Sequence, residues 1–299
     1  MTHAHTEAAP FDPGPQTLPN LRGASEAPTR SRDVGGLTHV GGREKNEDQF
    51  LVADVSRCVA VRASSLAAAP GGTLAASEGT VLVVADGMGG HGSGDLASAV
   101  TVDGVVEWLA HHMPWSETLD DAHRRALIDG VGEMARSVQA RLWSVAARKH
   151  ASPKLGTTLV MAYLLERELF VAHVGDSRAY LLREGRLDRI TEDHSLAERV
   201  RKESGDGGAD LDLSHLSHIL VNAIGGDRQE PRVDGAWFQL TPGDRVMLAS
   251  DGLTDVVGDE AIAEHLSAAE SADEACHLLV RAAMDASTSD NVTVVSAFV

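Results

Sequence analysis

The sequence predicts an α+β fold in which antiparallel strands and helices are grouped separately. Two pairs of apolar runs are separated by only two residues, Glu166-Arg167 in one case and Glu184-Gly185 in the other. Links this short require antiparallel hairpins, because a parallel pair needs a crossover of a dozen or more residues. Consecutive strands are also grouped apart from grouped helices, which is unlike the regular alternation of a doubly wound α/β sheet.

The first half of the chain is predicted to supply two strands and two helices. Apolar runs predict strands at 48–55 and 81–85, and an Ala/Ser/Gly-rich stretch at 63–80 is interpreted as an inserted loop. Helices are expected near 93–112 and 117–149. In the second helix one apolar stripe recurs at steps of three or four: Leu127, Val131, Met134, Val138, Leu142 and Val145.

The second half is predicted to consist mainly of strands. They are expected at 157–165, 168–174, 180–183, 186–191, 232–240, 246–250 and 292–298. Helices near 259–267 and 271–286 separate the last two strands. A polar, glycine-rich stretch at 204–217 is interpreted as a mobile surface segment.

Residues 1–36 are predicted to form a disordered tail, and residues 37–299 a single domain. The tail holds five of the ten prolines and lacks apolar periodicity. Because 43% of the whole chain is hydrophobic, the remainder can support a full core.

Charge and cysteine content exclude several classes of protein. Lys and Arg number 26 against 44 Asp and Glu, so the formal net charge is −18 and a basic surface for nucleic acid is absent. Two cysteines, Cys58 and Cys276, do not make a disulfide framework and favour a reducing, cytoplasmic setting. The N-terminus lacks a signal-peptide pattern, and no apolar run approaches the roughly 20 residues that span a bilayer.

Four aspartates stand at the edges of apolar runs, where an unpaired carboxylate is costly. Asp86 and Asp251 each end such a run and precede a glycine. Asp176 follows a run that ends in Gly175, and Asp290 comes just before a predicted strand. Each alone could be a turn residue or a helix cap, since Asp-Gly is an ordinary turn dipeptide. Four such residues together point to a shared function.

A cation site is one function that would bring these carboxylates together. Clustered carboxylates repel one another and need a compensating positive charge. Hard divalent cations prefer oxygen ligands, so the pattern predicts magnesium or manganese and not zinc. Residues 89–94 lack bulk except at His91 and Ser93, which would let the backbone approach a metal closely.

Six short motifs occur in order between residues 37 and 299. They are Arg43-Glu44-Lys45-Asn46-Glu47-Asp48, Asp86-Gly87-Met88-Gly89-Gly90-His91, Gly156-Thr157-Thr158, Gly175-Asp176-Ser177-Arg178, Ser250-Asp251-Gly252-Leu253-Thr254-Asp255 and Asp290-Asn291-Val292-Thr293. Together they resemble the ordered motifs of the type 2C (PPM) metal-dependent protein phosphatases, and the bacterial branch is the closer match. The resemblance implies an antiparallel β-sandwich flanked by helices on both sides, with a metal centre at one end of a single catalytic domain.

The resemblance also implies roles for individual residues. Two core cations, Mn²⁺ or Mg²⁺, would be bound by Asp86, the Gly87 carbonyl, Asp251 and Asp290. Asp48, helped by Glu47, would hold metal-bound waters, and Asp176 would help to bind a third cation.

The implied reaction is hydrolysis of phosphoserine and phosphothreonine by a water that bridges two metals, without a covalent phosphoenzyme. Arg43 would grip the substrate phosphate, because its planar fork suits two oxygens; the alternative is a surface ion pair. His91 is the candidate general acid, against a positioning or solvent role, and Met88 stands where animal relatives carry a histidine. His173 and His194 are expected to pack or to face water.

Residues 199–226 correspond to the flap beside the active site in this family. Typical bacterial members have an acidic-alanine helix and a His-Pro there, whereas this chain has a Gly/Asp-rich stretch followed by residues 219–226. This departure leaves open the flap conformation, the second protein ligand of a third cation and the substrate preference.

Two other functions are weighed against this one. A catalytically inactive relative that acts as a binding module should lack one or more metal aspartates, and this chain keeps them. A two-metal phosphodiesterase could use the same carboxylates, but the acidic charge disfavours nucleic acid. The expected partners are phosphorylated proteins, substrates of an opposing serine/threonine kinase, and the chain is expected to be a cytoplasmic monomer without membrane insertion.

Overall fold

The structure, a computed structural model, describes residues 32–60, 73–89, 93–112, 120–149, 155–204, 212–226 and 229–299. The chain divides into two compact units, and the larger one comprises Ser31–Arg57 and Ala76–Val299. The smaller unit, Met1–Arg30 with Cys58–Ala75, is described only at the strand residues 58–60 and 73–75. The packing described below is that of the larger unit.

Strands and helices follow one another along the chain in the grouping that the sequence predicts. The strands are β1 (Asp33–His39), β2 (Gln49–Ala60), β3 (Thr73–Ala85), β4 (Gly87–Met88), β5 (Gly156–Thr157), β6 (Leu159–Leu165), β7 (Glu168–Val174), β8 (Arg178–Arg183), β9 (Arg186–Arg189), β10 (Ile224–Gly225), β11 (Asp234–Gln239), β12 (Arg245–Ala249) and β13 (Val292–Phe298). The helices are α1 (Gly94–His112), α2 (Asp121–Lys149), α3 (Leu196–Glu203), α4 (Asp251–Thr254), α5 (Asp259–Ala268) and α6 (Ala272–Asp285), with a 3-10 turn at Ser214–Leu216.

The described strands form two five-stranded sheets and one small three-stranded sheet. The orders are β1-β13-β12-β8-β9, β11-β7-β6-β3-β2 and β10-β5-β4. The predicted hairpins β6–β7 and β8–β9 are antiparallel. Their links place Glu166 (φ 50°), Glu184 (φ 51°) and Gly185 (φ 80°) in the left-handed region that tight hairpin turns require.

The two large sheets pack face to face through one set of alternate side chains. A single buried cluster contains Leu82, Val84, Val160 and Val171 from one sheet with Leu181, Val246, Leu248 and Val295 from the other. Successive side chains of a strand point to opposite faces, so Val81 and Val83 lie on the outer face of their sheet. The arrangement is the predicted antiparallel sandwich.

Helices cover both outer faces of the sandwich. Trp108 of α1 and Leu127 and Leu142 of α2 share a cluster with the outer face of β3 and β6. On the other side, Ile262 of α5 and Leu279 of α6 pack with strands β8, β12 and β13. The predicted apolar stripe of α2 therefore serves core packing. None of the described helices combines the length and apolar character that crossing a membrane requires.

The structure corrects the predicted boundary of the N-terminal tail. Strand β1 begins at Asp33, so the boundary at residue 36 is too late, and residues 1–31 lie outside the described residues. Gly35 and Gly36 resemble a loop in sequence, but a Cβ at Gly35 would lie 2.5 Å from the backbone of Asp273. Glycine in a strand marks such close approach of another backbone, here the start of α6.

The predicted loop at 63–80 is also wrong in its second part. Residues 73–80 belong to β3, and residues 61–72 lie outside the described residues. The sequence reading further omits α3 and α4, which are only eight and four residues long. Helices this short have little propensity of their own and depend on their tertiary contacts.

We expect deletion of residues 1–36 to lower the melting temperature more than deletion of residues 1–31. The longer deletion removes the pairing of 33–36 with 295–298 of β13. It also removes the Asp33 carboxylate, which accepts the N–H of Ala272 at the start of α6 at 3.1 Å. Losing several hydrogen bonds should lower the melting temperature by about 5 °C or more. Thermal melts of the two truncations provide the test, and equal melting temperatures would show that this half of β1 is dispensable.

Candidate metal centre

The backbone of Asp86 is held by a pair of threonines where β3 passes into β4. Thr158 donates its N–H to the Asp86 carbonyl at 2.9 Å, and the Thr157 hydroxyl donates to the same oxygen at 2.8 Å. The Asp86 N–H in turn donates to the Thr158 hydroxyl at 3.0 Å. The motif Gly156-Thr157-Thr158 therefore has a structural role that its sequence alone does not disclose.

Gly87 lies between Glu47 and the start of α1 in a space that admits no side chain. A Cβ at Gly87 would lie 2.2 Å from the Gly94 carbonyl oxygen and 2.5 Å from that of Glu47. The Glu47 carboxylate accepts the N–H of Gly94 at 3.1 Å. The structure thus brings Glu47 beside Gly87.

Asp48 is 2% exposed and is oriented by two hydroxyl groups. Its Oδ2 atom accepts hydrogen bonds from the Ser250 hydroxyl at 2.8 Å and from the Thr293 hydroxyl at 2.7 Å. Ser250 directly follows β12 and Thr293 lies in β13, so the central strands of one sheet position the carboxylate of the residue just before β2.

Asp251 and Asp290 are brought together because their neighbours pack without a side chain between them. Asp251 is the first residue of α4, directly after β12. A Cβ on the following Gly252 would lie 1.9 Å from the Asn291 carbonyl oxygen. The two chain segments that carry the predicted ligands are therefore in direct backbone contact.

Asn291 ties the segment before β2 to the same place. Its amide donates to the carbonyl oxygens of Val40 and Lys45 at 2.8 and 2.9 Å. Its Oδ1 atom accepts the N–H of Glu47 at 2.8 Å. Sequence reasoning assigned no role to Asn291, Ser250, Thr157 or Thr158, and the only signal was their occurrence in the six ordered motifs.

The carboxyl groups of Asp48, Asp86 and Asp251 converge in a buried, mutually repulsive cluster. The Asp86 carboxyl group lies close enough to Asp48 and Asp251 for their negative charges to act on it. Burial, then the charges of Asp48 and Asp251, raise the pKa of Asp86 well above its ordinary value. Burial raises the pKa of Asp48 to about 6, against the bonds from Thr293 and Ser250. Burial, followed by neighbouring carboxylates, raises the pKa of Asp251 to about 8.

Asp176 joins this cluster through a turn anchored to the strand beside Asp86. Gly175 has φ +105°, and a Cβ there would lie 2.6 Å from the Thr158 side chain. The hydroxyls of Thr158 and Ser177 are hydrogen-bonded at 2.7 Å. Burial, then the charge of Asp193, raises the pKa of Asp176 to about 7, and Asp176 itself raises the pKa of Asp251.

The cluster fits hard divalent cations. Asp48 Oδ1 and Asp251 Oδ1 are buried and have no hydrogen-bond partner in the part of the chain that the structure describes. A buried, unpartnered carboxylate oxygen is unfavourable unless a positive charge compensates it. Because the donors are all oxygen, they suit magnesium or manganese.

Arg43 lies at the edge of the cluster, where it forms an ion pair with Asp290. Its Nε and Nη2 atoms donate to the two carboxylate oxygens at 2.9 and 2.6 Å. The hydrogen bond with Asp290 raises the pKa of Arg43, and the carboxylates of Asp251 and Asp86 add to the effect. The alternative considered for Arg43, an ion pair, is therefore present, and its partner is a predicted metal ligand.

His91 lies outside the described residues, so its predicted role stays a prediction. His173 and His194 are 6% and 3% exposed and stack at 4.6 Å between ring centroids, which confirms that they pack. Together with Asp234 they form the one trio of His, Cys or acidic groups, among the described residues, whose ligand atoms lie within 4.8 Å of one another. The predicted aspartates do not form such a trio among the described residues.

Comparison with known proteins places the chain in a family. Residues 72–288 match the family model described as protein phosphatase 2C. The chain belongs to the protein phosphatase 2C family. It is 35% identical over 220 residues to the serine/threonine protein phosphatase PstP of Mycobacterium tuberculosis. That match covers 73% of this chain but only 40% of the length of PstP.

Further similarities agree with this family assignment. The serine/threonine phosphatase stp of Listeria welshimeri is 31% identical over 216 residues, which are 72% of this chain and 82% of that protein. The fold also resembles the crystal structure of the PstP catalytic domain in complex with two manganese ions, with a TM-score of 0.65 and 27% identity. That similarity covers 89% of this chain and 96% of the other.

Proposed function

We propose that this family member is a metal-dependent phosphatase that hydrolyses phosphoserine and phosphothreonine on proteins. The observation that carries the proposal is the convergence of Asp48, Asp86 and Asp251, with two buried carboxylate oxygens that lack a donor among the described residues. The similarity to named serine/threonine phosphatases, one of them solved with two manganese ions, supports it.

The ligands of two core Mn²⁺ or Mg²⁺ ions would be Asp86, the Gly87 carbonyl, Asp251 and Asp290. Glu47 and Asp48 would hold waters of the metal centre, and Asp176 would contribute to a third cation. When bound, such cations activate water as Lewis acids and neutralise charge on the phosphoryl group.

The chain's own side chains then have distinct tasks. Ser250 and Thr293 hold Asp48 through Oδ2, which leaves Oδ1 as its acceptor toward the centre. Arg43 would bind the substrate phosphate; Asp290 accepts from Nε and from one N–H of Nη2, so Nη1 and the second N–H of Nη2 remain for two phosphate oxygens. His91 would protonate the leaving oxygen of serine or threonine.

The proposal extends to the organisation and setting of the protein. The catalytic domain would run from β1 to residue 299, with residues 199–226 as a flap. Because one chain supplies every proposed ligand, a monomer would suffice. The substrates would be phosphoproteins, in keeping with the names of the relatives. They would be cytoplasmic and made by an opposing serine/threonine kinase.

We expect activity on a phosphothreonine peptide to require added manganese or magnesium. Protein dialysed against a chelator should lose nearly all turnover and regain it on manganese addition, because the proposed ligands are all oxygen. Phosphate release from the peptide is the measurement, with a phosphodiester and a phosphotyrosine peptide as comparison substrates. Full turnover in thoroughly demetallated protein would overturn the proposal, and a preference for the diester would favour a phosphodiesterase.

A further inference from the structure

His194 connects three chain segments through both its side chain and its backbone. Its Nδ1 atom accepts the N–H of Gly175 at 3.1 Å and lies 2.7 Å from the amide nitrogen of Asn222. Its Nε2 atom lies 3.1 Å from Asp234 Oδ2 at the start of β11. The buried imidazole, 3% exposed, is thus shared by the turn before Asp176, the predicted flap and a neighbouring strand.

The backbone around His194 also pairs with the predicted flap. Leu196 donates its N–H to the Ile219 carbonyl at 2.7 Å, and Val221 donates to the His194 carbonyl at 2.8 Å. Ser195 and Leu220 form an antiparallel bridge between these bonds. This short ladder fixes the residues just before Asn222 against the residues that precede α3.

The neighbours of His194 determine its tautomer. The Asn222 amide nitrogen also donates to the Arg232 carbonyl at 2.7 Å, and Asn222 Oδ1 accepts the N–H of Arg232, so the amide presents an N–H to the imidazole. With N–H donors on that side from Gly175 and Asn222, Nδ1 carries the lone pair. Nε2 therefore carries the proton and donates to Asp234.

The bond at Nδ1 leads directly to the proposed third-cation ligand. A second hydrogen bond joins the same two residues: the backbone N–H of His194 donates to the Gly175 carbonyl oxygen at 2.9 Å. Asp176 is the next residue, and Gly175 has a φ of +105°, which glycine adopts without steric cost. The position of Asp176 is therefore tied to the predicted flap through one ring.

His173, His194 and Asp234 could also be interpreted as a metal site, but their hydrogen bonds support that interpretation less well. His173 Nε2 lies 2.7 Å from the Glu192 carbonyl oxygen, which can only accept, so that nitrogen bears a proton. Both His194 nitrogens are also engaged. The hydrogen bonds account for these three groups without a cation.

We propose that His194 is a positioning residue, which holds the predicted flap and the Gly175-Asp176 turn in one arrangement and thereby tightens the site that uses Asp176 for a divalent cation. The proposal rests on the proposed function, since it concerns the affinity of that centre. The proposal depends on the Nδ1 atom of His194, which accepts the hydrogen bonds from Gly175 and Asn222.

Two substitutions separate the nitrogens of His194, and a third controls for packing. His194→Asn keeps an acceptor near the Nδ1 position, whereas His194→Gln keeps a donor near the Nε2 position and loses the acceptor. His173→Gln removes the stacked ring beside it, also buried, but leaves Nδ1 of His194 in place. Thermal melts of all three variants establish that they are folded.

Amide hydrogen exchange in chelator tests the coupling without any metal. In His194→Gln we expect at least tenfold faster exchange at Gly175 and at 219–222, as loss of a buried hydrogen bond predicts. We expect His194→Asn and His173→Gln to stay within threefold of the unsubstituted chain. Equal exchange in His194→Gln and the unsubstituted chain, or an equal effect in His173→Gln, would overturn the inference.

Calorimetric titration with manganese tests whether His194 affects the affinity of the metal centre. His194→Gln should weaken the weakest manganese site about tenfold and raise the manganese concentration for half-maximal turnover, while the KM for peptide at saturating manganese changes little. Unchanged manganese affinity in His194→Gln would also overturn the inference. Absence of manganese-dependent turnover in the unsubstituted chain would instead overturn the proposed function, and the exchange experiment would still decide the coupling.

Discussion

The Asp251→Asn substitution should lower turnover on a phosphothreonine peptide by a few hundredfold. The change keeps the size of the side chain but removes the charge of a buried carboxylate whose Oδ1 atom lacks a hydrogen-bond partner among the described residues. Loss of about 3–4 kcal/mol of transition-state stabilisation corresponds to that factor. Folding should survive, because the substitution removes a group that, when ionised, is repelled by Asp86, Asp176 and Asp290.

The measurement pairs steady-state kinetics across a manganese titration with a thermal melt. Asp103→Asn is the matched control, since Asp103 is an exposed residue of α1 and should behave like the unsubstituted chain. If Asp251→Asn matches that control at limiting and at saturating manganese, Asp251 is only the first residue of a short helix. Full recovery at high manganese would show that Asp251 governs metal affinity and not catalytic geometry.

In a chelator, the protein should become less stable as the pH rises from about 5 to 8.5. Burial raises the pKa of Asp48 to about 6, of Asp176 to about 7 and of Asp251 to about 8, and that of Asp86 rises as well. In the unfolded chain an aspartate has a pKa of about 3.9, so the folded state binds more protons over this range. The stabilising contribution of these protonated groups is complete below about pH 4 and is lost as the pH passes through the folded-state values.

We expect the melting temperature in chelator to fall by about 10 °C across this range, as a change of a few kcal/mol in a domain of this size implies. Manganese competes with protons for the carboxylates, so its stabilising effect should grow with pH. Scanning calorimetry with and without manganese measures both effects. Asp251→Asn supplies the control, because its melting temperature relative to the unsubstituted chain should rise with pH. A flat difference would show that Asp251 does not titrate as stated.

The long elements could be predicted from sequence because their signals are local. The two-residue links at 166–167 and 184–185 required hairpins, and the apolar stripe of α2 required a core-facing helix. Strand β1 could not be predicted in the same way. Its Gly35-Gly36 pair has the appearance of a loop until α6 is placed against it.

Among the residues of the candidate metal centre, some could likewise be predicted from local sequence and others could not. Asp86, Asp251 and Asp290 could be selected from sequence because each interrupts or borders an apolar run. The residues that orient them could not, because Thr293 meets Asp48 across 245 positions and Asn291 meets Glu47 across 244. Such pairs leave no periodicity in the chain.

The sequence by itself thus determined the α+β class, the order of the long strands and helices, and the choice of aspartates proposed for the centre, because each depends on neighbouring residues. Only the tertiary structure decided which hydroxyls hold Asp48, that Arg43 is paired with Asp290, and that one imidazole joins Gly175 to Asn222. Those features are contacts between distant segments, and a contact exists only once the sheets and helices have packed.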